Sequence, residues 1–282
     1  MPAGPRTFVS LASKGENQLE SNLTELHASQ AVDKGFFTHT DWVAHVARYG
    51  HILKQIGKLT TKGPVTILDV GCGRVPLPFY AWRNRISGNG VRYVGLDLRA
   101  TDKWLTESDW SADMTLVRCD IVLDADVLAE NWEALGAEEF ADGGSGFDIV
   151  ICTEAFEHVP NASKKQLVDN LYRWTRPGGT CYLSTPNLGP SPTSADNHVG
   201  PDGIREWPYK DKVALVGEAG FQIIKALGTM IRLEHVPEEQ QQSELFKAAK
   251  DLMPPGWINV FAAAANPEMS NNALFVMTKR AS

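Results

Sequence analysis

Apolar residues gather in short runs along the chain, separated by polar or glycine-bearing segments. Such runs, rich in β-branched residues and too short for ordinary helices, are typical of buried strands. They lie at residues 66–70, 91–97, 114–121, 147–152, 180–185, 221–227 and 273–279. Segments with helical spacing alternate with the first five runs, and this alternation predicts an α/β fold with a doubly wound, mostly parallel sheet.

Helical periodicity is most distinct ahead of the first predicted strand. Residues 41–59 repeat apolar positions at helical spacing, with Asp41 as the predicted N-cap. Other helices are predicted at residues 18–31, 79–86, 124–135, 161–176, 210–219, 237–250 and 257–265. We therefore expect an N-terminal helical extension over residues 1–60 and a main domain over 61–282. A helical insertion is expected at about 229–272, before the last strand.

A glycine turn follows the first predicted strand, within the sequence Asp-Val-Gly-Cys-Gly-Arg-Val at 69–75. Gly71 and Gly73 let the backbone turn sharply and approach a ligand closely. A helix beginning after the turn would point free N–H groups at that ligand. A dinucleotide site would need a third glycine where Pro76 stands, and the Gly-Lys-Ser/Thr of a P-loop is missing. Asp69 suits a ligand that carries a positively charged amino group.

The composition is that of an ordinary globular protein. Of 282 residues, 43% are hydrophobic and 22% are charged. A formal net charge of −7 argues against a broad electrostatic grip on nucleic acid or on an anionic membrane. No apolar run is long enough for membrane insertion, and residues 1–21 lack the pattern of a signal peptide. Four cysteines without metal-ligand spacing predict buried, reduced thiols in a cytoplasmic enzyme: Cys72, Cys119, Cys152 and Cys181.

Polar residues end the second, third and fourth predicted strands, at the edge where open α/β sheets bind ligands. Asp97 could accept hydrogen bonds from ribose hydroxyls there, or it could cap the next helix. Asp120 could cap the helix predicted at 124–135. Glu154, Glu157 and His158 follow the fourth strand, and His198 lies in a long loop at 186–208, a length that is often functional.

Taken in order, these stretches resemble the class I S-adenosylmethionine-dependent methyltransferases. Motif I of that family typically reads acid-x-Gly-x-Gly-x-Gly, and Val75 replaces its last glycine here. The Glu-x-x-Glu-His-Val block at 154–159 resembles motif IV of the small-molecule methyltransferases, and the Arg-Pro-Gly-Gly run at 176–179 is also typical. The resemblance covers roughly residues 41–221 and the last strand. It implies a Rossmann-like methyltransferase fold with seven strands, the last of them antiparallel.

The resemblance also implies a binding site for the cofactor S-adenosyl-L-methionine. Its candidate residues lie in the glycine turn, at strand ends and on the preceding helix: Asp69, Gly71, Cys72, Gly73, Asp97, Leu98, Asp120, Ile121, Thr153 and Arg48. In the family, an acid at the position of Asp120 receives the adenine amino group, and the backbone N–H of the next residue meets the ring. Arg48 belongs to a His/Arg-Tyr element that approaches the cofactor in some relatives. The alternative is an exposed arginine on an ordinary amphipathic helix.

His158, an imidazole just beyond the fourth predicted strand, is the candidate catalytic base or substrate anchor, with Glu157 beside it. The alternative is a capping or core histidine. If a helix begins near Glu154, spacings of three and four residues put Glu154, Glu157 and His158 on one face. With His198 they could hold a divalent metal ion such as Mg²⁺, Mn²⁺ or Zn²⁺. The same pattern also occurs in methyltransferases that use no metal ion.

We therefore predict an S-adenosylmethionine-dependent methyltransferase, similar to those acting on hydroxyl groups of small molecules, quinone precursors or glycans. One alternative is an RNA 2′-O-methyltransferase or other nucleic-acid methyltransferase, which is similar at the predicted metal-binding residues but disfavoured by the acidic charge. Another alternative is a partner subunit that binds the cofactor without catalysis. The methyl acceptor, its reacting atom and the oligomeric state stay open.

Overall fold

The computed structural model describes most of the chain. The described residues are 6–11, 40–74, 77, 90–106, 113–123, 128, 130, 146–188, 199–200, 203–204 and 206–280. The helices predicted at 18–31 and 79–86 lie outside these residues. His198 and most of the helix predicted at 124–135 also lie outside them.

A central sheet contains eight strands, in the order β1-β4-β3-β2-β5-β6-β10-β9, and β7 and β8 form a separate hairpin. The strands are β1 (Arg6–Ser10), β2 (Val65–Val70), β3 (Val91–Asp97), β4 (Asp113–Arg118), β5 (Phe147–Thr153), β6 (Thr175–Pro186), β7 (Val199–Gly200), β8 (Gly203–Ile204), β9 (Gln222–Met230) and β10 (Asn272–Thr278). The seven predicted runs all correspond to strands of this sheet.

Strand direction follows the prediction. Neighbouring strands pair in parallel, except that β10 runs antiparallel to both β6 and β9. The predicted antiparallel last strand is therefore confirmed. Strand β2 lies between β3 and β5, and the chain continues outward from β2 in both directions. Such a switch point opens a crevice at the carboxyl ends of the strands, where ligands bind.

The strand count differs from the prediction, because the sheet has eight strands and not seven. The additional strand is β1, which lies at the sheet edge and pairs in parallel with β4, from Arg6 beside Met114 to Ser10 beside Arg118. Its residues were expected in a helical extension. Most of its side chains are only partly buried. An edge strand covered on few sides needs no run of apolar residues, so the apolar pattern does not reveal it.

Helices flank the sheet: α1 (Thr40–Thr60), α2 (Asp102–Thr106), α3 (Lys164–Trp174), α4 (Tyr209–Glu218), α5 (Glu238–Gln242), α6 (Glu244–Leu252) and α7 (Pro255–Ala263). The helix predicted at 161–176 is shorter, because a 3₁₀ turn at Asn161–Ser163 precedes α3. The single helix predicted at 237–250 is also wrong. It is divided at Ser243, whose hydroxyl oxygen accepts the Phe246 N–H at 3.2 Å and so caps α6.

Two apolar cores cover the two faces of the sheet. Along β2, Ile67 contributes to one core and Leu68 to the other, as the alternation of side chains in a strand requires. A third, smaller core holds the insertion together, with Ile231, Phe246 and Ile258 among its buried residues. The insertion therefore forms a packed helical layer. No helix within the described residues is both long and apolar enough to cross a membrane.

The insertion is tightly fitted against β9 at Gly228. A Cβ atom at this position would lie 2.0 Å from Ser270 Oγ and 2.3 Å from the Ala263 carbonyl oxygen. We expect Gly228→Ala to lower the free energy of unfolding by about 1–3 kcal/mol, because the backbone must move to relieve the overlap. The measurement is urea denaturation followed by circular dichroism.

The matched control is Gly217→Ala on the exposed surface of α4, where a Cβ atom would meet nothing within 4 Å. That change should be neutral or stabilising by up to about 1 kcal/mol, because alanine favours a helix. Equal stability of the two variants would contradict the close fit at Gly228.

Candidate active site

The glycine turn, residues 71–73, follows β2 at the carboxyl ends of the parallel strands, which form the ligand edge of the sheet. Gly71 and Gly73 have φ angles of 72° and 56°, in the left-handed region that favours glycine. The N–H groups of Gly71 and Cys72 both donate to the Leu96 carbonyl oxygen, at 2.8 and 3.0 Å. A Cβ atom at Gly71 would lie 2.5 Å from the Cβ of Ala155. The turn is thus packed between β3 and the exit of β5, and both glycines are required by its geometry.

Asp97 lies beside this turn at the end of β3. Its Oδ2 accepts the Gly73 N–H at 3.0 Å, and its Oδ1 accepts the Arg99 N–H at 2.8 Å. Helix α2 begins only at Asp102, so Asp97 does not cap it. Burial raises the pKa of Asp97 overall, although these two N–H groups and the charge of Arg99 act to lower it. Each carboxylate oxygen has two lone pairs, so ribose hydroxyls could still donate to Asp97.

Asp69 lies on β2, immediately before the turn, and is 1% exposed. Its Oδ2 accepts the Tyr93 hydroxyl at 2.8 Å. Its Oδ1 is buried and has no hydrogen-bond partner among the described residues. Burial raises the pKa of Asp69 to about 7, with a further increase from Asp97 and an opposing effect from Tyr93. A buried carboxyl oxygen without a partner is costly unless a ligand supplies a donor.

Asp120 caps a turn beyond β4. Its Oδ1 accepts the N–H groups of Val122 and Leu123, at 2.8 and 3.0 Å. The carbonyl oxygen of Ile121 accepts Nδ2 of Asn170 at 3.3 Å. Asp120 therefore caps a turn at residues 121–123. The start of the helix predicted at 124–135 lies outside the described residues, so the cap of that helix and the adenine contact both stay predictions.

Glu154 joins three parts of the chain at the end of β5. Its φ angle of 54° is left-handed, which is uncommon for a residue with a side chain. Oε1 accepts Arg48 Nη1 at 2.6 Å and the Ser184 hydroxyl at 3.0 Å, and Oε2 accepts Asn272 Nδ2 at 2.8 Å. Burial acts to raise the pKa of Glu154, but the charges of Arg48 and His45 and these hydrogen bonds lower it overall.

Arg48 is buried, with 2% exposure, so the alternative of an exposed surface arginine is wrong. Besides Glu154, it donates to the Ser184 hydroxyl at 2.9 Å and contacts Nδ1 of His45. Its Nε has no hydrogen-bond partner among the described residues. On the same helix, the Tyr49 hydroxyl shares a hydrogen bond of 2.7 Å with the Thr153 hydroxyl. Helix α1 is therefore attached to the ligand edge through buried polar contacts.

Glu157 and His158 lie in a 3₁₀ turn at Phe156–His158, and the helix expected to begin near Glu154 does not form. The left-handed backbone of Glu154 prevents it, so the spacing argument for one shared face is wrong. Glu157 is buried, and its Oε2 accepts the Thr185 hydroxyl at 3.0 Å. Burial and the charge of Glu154 raise the pKa of Glu157 to about 8, against the effects of its own N–H, of Thr185 and of nearby Lys164.

The described part of the chain does not assemble the predicted metal site. In these residues, no three His, Cys, Asp or Glu side chains lie close enough together to hold a metal ion. Both oxygens of Glu154 already accept hydrogen bonds, one of them from Arg48. Because His198 lies outside the described residues, the complete set of Glu154, Glu157, His158 and His198 stays a prediction.

Lys212 is a buried lysine on α4 that the sequence analysis missed, and its Nζ lies at the end of β6. Its Nζ donates to the Pro186 carbonyl oxygen at 2.6 Å and to Asn187 Oδ1 at 2.5 Å. Asn187 Nδ2 in turn donates to the carbonyl oxygens of Pro267 and Ser270, at 2.9 and 2.7 Å. Lys212 thus orients the amide that attaches the end of the insertion to β6. A lysine on an amphipathic helix resembles a surface residue in sequence, so no signal in the sequence indicated this buried position.

The electrostatic surroundings of Lys212 combine burial with acids that do not contact it directly. Burial lowers the pKa of Lys212 to about 7 and outweighs the charges of Glu157, Glu154 and Glu206, which raise it. The charge of Lys164 lowers it further.

Lys164 is another buried lysine, at the start of α3. Its Nζ donates to the Phe156 carbonyl oxygen at 2.6 Å and lies 4.2 Å from the centre of the Phe156 ring. The Trp207 ring centre is 6.0 Å away, and Trp207 Nε1 donates to Asn161 Oδ1 at 3.0 Å. These contacts fix the 3₁₀ turn that carries Glu157.

The sheet is parallel except for its last strand, and acids surround a glycine turn at its carboxyl edge. This is the arrangement of the class I S-adenosylmethionine-dependent methyltransferases. A family model described as a methyltransferase domain matches residues 38–226. The match includes α1, the glycine turn and the polar groups after β5. The chain belongs to this family of methyltransferases.

Several curated relatives match part of the chain. The ubiquinone biosynthesis O-methyltransferase of Psychrobacter cryohalolentis is 28% identical over 153 residues, which are 53% of this chain and 52% of that protein. The protein of the same name from Burkholderia multivorans is 33% identical over 121 residues, 43% of this chain and 44% of that protein. The chain thus spans about half the length of the curated relatives it matches.

Among solved structures, a methyltransferase from Archaeoglobus fulgidus is similar, with 13% sequence identity and a TM-score of 0.48. The similarity covers 82% of this chain and 94% of that chain. A putative methyltransferase from Bacillus halodurans has 20% identity and a TM-score of 0.47, over 82% of this chain and 98% of that chain.

The raised pKa of Glu157 has a consequence for stability. The folded protein retains a proton on Glu157 up to about pH 8, whereas the unfolded chain loses it near 4.5. The stabilisation that this retained proton gives the folded protein is therefore complete below pH 4.5 and is lost as the pH rises through 8. We expect Glu157→Gln to flatten the decline in unfolding free energy between about pH 5 and 7.

Urea denaturation at several pH values measures this slope. Glu218→Gln, at the exposed end of α4, is the control and should keep the slope of the wild type. A Glu157→Gln variant with an unchanged slope would show that Glu157 is ionised in the folded protein at neutral pH.

Proposed function

We propose that the protein transfers the methyl group of S-adenosylmethionine to a hydroxyl group of a small molecule. The observation that carries the proposal is the pair of buried acids at the left-handed glycine turn. Asp69 has a buried oxygen without a partner among the described residues, and Asp97 holds the Gly73 N–H. A ligand with an ammonium group and two ribose hydroxyls has the donors that these carboxyl groups can accept.

The residues at this edge fit the cofactor in charge and in hydrogen-bonding capacity. When bound, S-adenosylmethionine supplies an electrophilic methyl group on its sulfonium sulfur. Asp69 is the proposed partner of the cofactor ammonium, and Asp97 of the ribose. Asp120 and Ile121 are proposed to contact the adenine. Leu98, Cys72 and Thr153 are proposed as further residues of the cofactor site. Nε of buried Arg48 has no hydrogen-bond partner among the described residues, so it is a donor that could serve the proposed cofactor role.

A hydroxyl acceptor is supported by the names of the relatives, which are ubiquinone biosynthesis O-methyltransferases. Methyl transfer requires the acceptor oxygen in line with the sulfonium methyl, so positioning supplies much of the rate. His158 is the proposed base that receives the hydroxyl proton. Glu157, with its pKa of about 8, is mostly protonated at neutral pH and is proposed as a neutral hydrogen-bonding group beside it.

The cofactor assignment predicts a large effect at Asp97. Asp97→Ala should weaken S-adenosylmethionine binding on the order of tenfold or more, because charge-assisted hydrogen bonds to the ribose are lost. Calorimetry measures the dissociation constant. Asp102→Ala, an exposed aspartate five positions further along, is the control and should bind like the wild type. Equal affinity of the Asp97 variant and the wild type would contradict the ribose assignment.

The catalytic assignment predicts a separation of binding from turnover. His158→Ala should keep the cofactor affinity and lower methyl transfer about 10²–10⁴-fold, the usual contribution of a general base. His235→Ala is the matched control, because His235 also ends a 3₁₀ turn, in the insertion. Unchanged transfer in the His158 variant at saturating acceptor would eliminate the proposed base.

The experiment that tests the function is incubation with methyl-labelled S-adenosylmethionine and a cell extract, followed by separation into small molecules, glycans, RNA and protein. We expect label in the small-molecule fraction, released by reagents that cleave methyl ethers and reduced with Asp97→Ala at cofactor concentrations below saturation. Label in RNA would favour the nucleic-acid alternative. Cofactor binding without any labelled fraction would favour the non-catalytic partner subunit.

A further inference from the structure

Asp69 is a buried acid at the ligand edge with one oxygen that lacks a partner in the described part of the chain. It is 1% exposed, and the Tyr93 hydroxyl at 2.8 Å is the hydrogen-bond donor to its Oδ2. Oδ1 is equally buried and has no hydrogen-bond partner among the described residues. An ionised carboxylate in such a site has lost its hydration and has only one donor to replace it. The geometry therefore favours the uncharged carboxylic acid until another donor or a cation arrives.

Among the described residues, the groups that act on Asp69 do not include a cation. Its own strand continues into Cys72, β3 supplies Tyr93 and Asp97, β5 supplies Cys152, and α1 supplies Tyr49 near Tyr93. These groups are neutral or negative at neutral pH. Asp97 carries the same sign of charge as ionised Asp69. Arg48, a buried cation on α1, is paired with Glu154 instead.

The balance of these effects supports the geometric argument. Burial and Asp97 raise the pKa of Asp69 to about 7, and Tyr93 only partly opposes them. An approaching ammonium or sulfonium group would act in the opposite direction, because an opposite charge within a few ångströms favours the ionised form.

We propose that Asp69 carries a proton while the cofactor seat, formed by the glycine turn with Asp69 and Asp97, is empty. Asp69 releases this proton when the cationic end of S-adenosylmethionine binds. This inference rests on the proposed function for the identity of the ligand. In the step, the O–H bond of the carboxylic acid breaks, the proton passes to the solvent buffer and the electron pair stays on the carboxylate. The carboxylate is then balanced by the cofactor ammonium.

Proton release makes cofactor binding depend on pH. Below about pH 7 the free protein must give up a proton to bind the cofactor. The affinity for the cofactor should therefore increase up to about tenfold for each unit by which the pH rises. Above that pH the free carboxyl group is already ionised, and the affinity should level off.

Isothermal titration calorimetry in two buffers with different ionisation enthalpies, phosphate and imidazole, counts the released protons. We use S-adenosylmethionine, S-adenosylhomocysteine and 5′-methylthioadenosine as ligands. The first two carry the ammonium group, and the third lacks it. At about pH 6 we expect close to one proton for the first two and none for the third, because most of Asp69 is then protonated. At about pH 8.5 we expect almost none for any ligand.

Two variants identify the source of the proton. Asp69→Asn removes the acid while keeping the shape of the side chain, so proton release at pH 6 should disappear. Tyr93→Phe removes the hydroxyl that holds Oδ2, so the release should extend to higher pH and become measurable at about pH 8. Asp113→Asn, at the exposed start of β4, is the control and should release protons like the wild type.

The outcomes separate this inference from the proposed function. Cofactor binding by the wild type at pH 6 without proton release overturns the inference and leaves the function intact. Equal release by Asp69→Asn also overturns it, because the proton then comes from another group. If Asp69→Asn does not fold, an unchanged pH range in Tyr93→Phe overturns it by itself. Failure of the wild type to bind any of the three ligands contradicts the proposed function and this inference together.

Discussion

The cost of burying negative charge governs how the carboxyl edge of this sheet is built. Glu154 keeps its charge because Arg48 lies 2.6 Å away. Two backbone N–H groups hold Asp97. Burial and the neighbouring charge of Glu154 raise the pKa of Glu157 to about 8. Among these four acids, within the described residues, Asp69 is the one with a buried oxygen that lacks a partner, so its charge is left for a ligand to balance.

Much of the fold could be predicted because its strands are buried on both faces, and such strands appear in sequence as short apolar runs. The bounds of β3 matched the prediction, and the antiparallel direction of β10 followed from family resemblance. Strand β1 was missed because an edge strand has little apolar content to detect. The predicted helix at 237–250 failed at Ser243, where a capping hydroxyl begins a new helix within an otherwise continuous helical pattern.

The candidate site was predictable where chemistry depends on local sequence and less so where it depends on tertiary contacts. The glycine turn and Asp97 lie next to each other as expected. The shared helical face of Glu154 and His158 does not exist, because contacts from α1, β6 and β10 stabilise a left-handed backbone at Glu154. The burial of Arg48 and Lys212 was equally hidden, since a cation on an amphipathic helix gives the same sequence pattern whether it is solvated or paired inside.

The central claim is that the glycine turn of β2, with Asp69 and Asp97, is the cofactor seat. A crystal structure of the protein with S-adenosylhomocysteine tests this claim most directly. We expect both ribose hydroxyls within hydrogen-bonding distance of Asp97 and the ammonium group within reach of Asp69 Oδ1. A ligand bound elsewhere, or one that leaves Asp69 in contact with Tyr93 alone, would contradict the account.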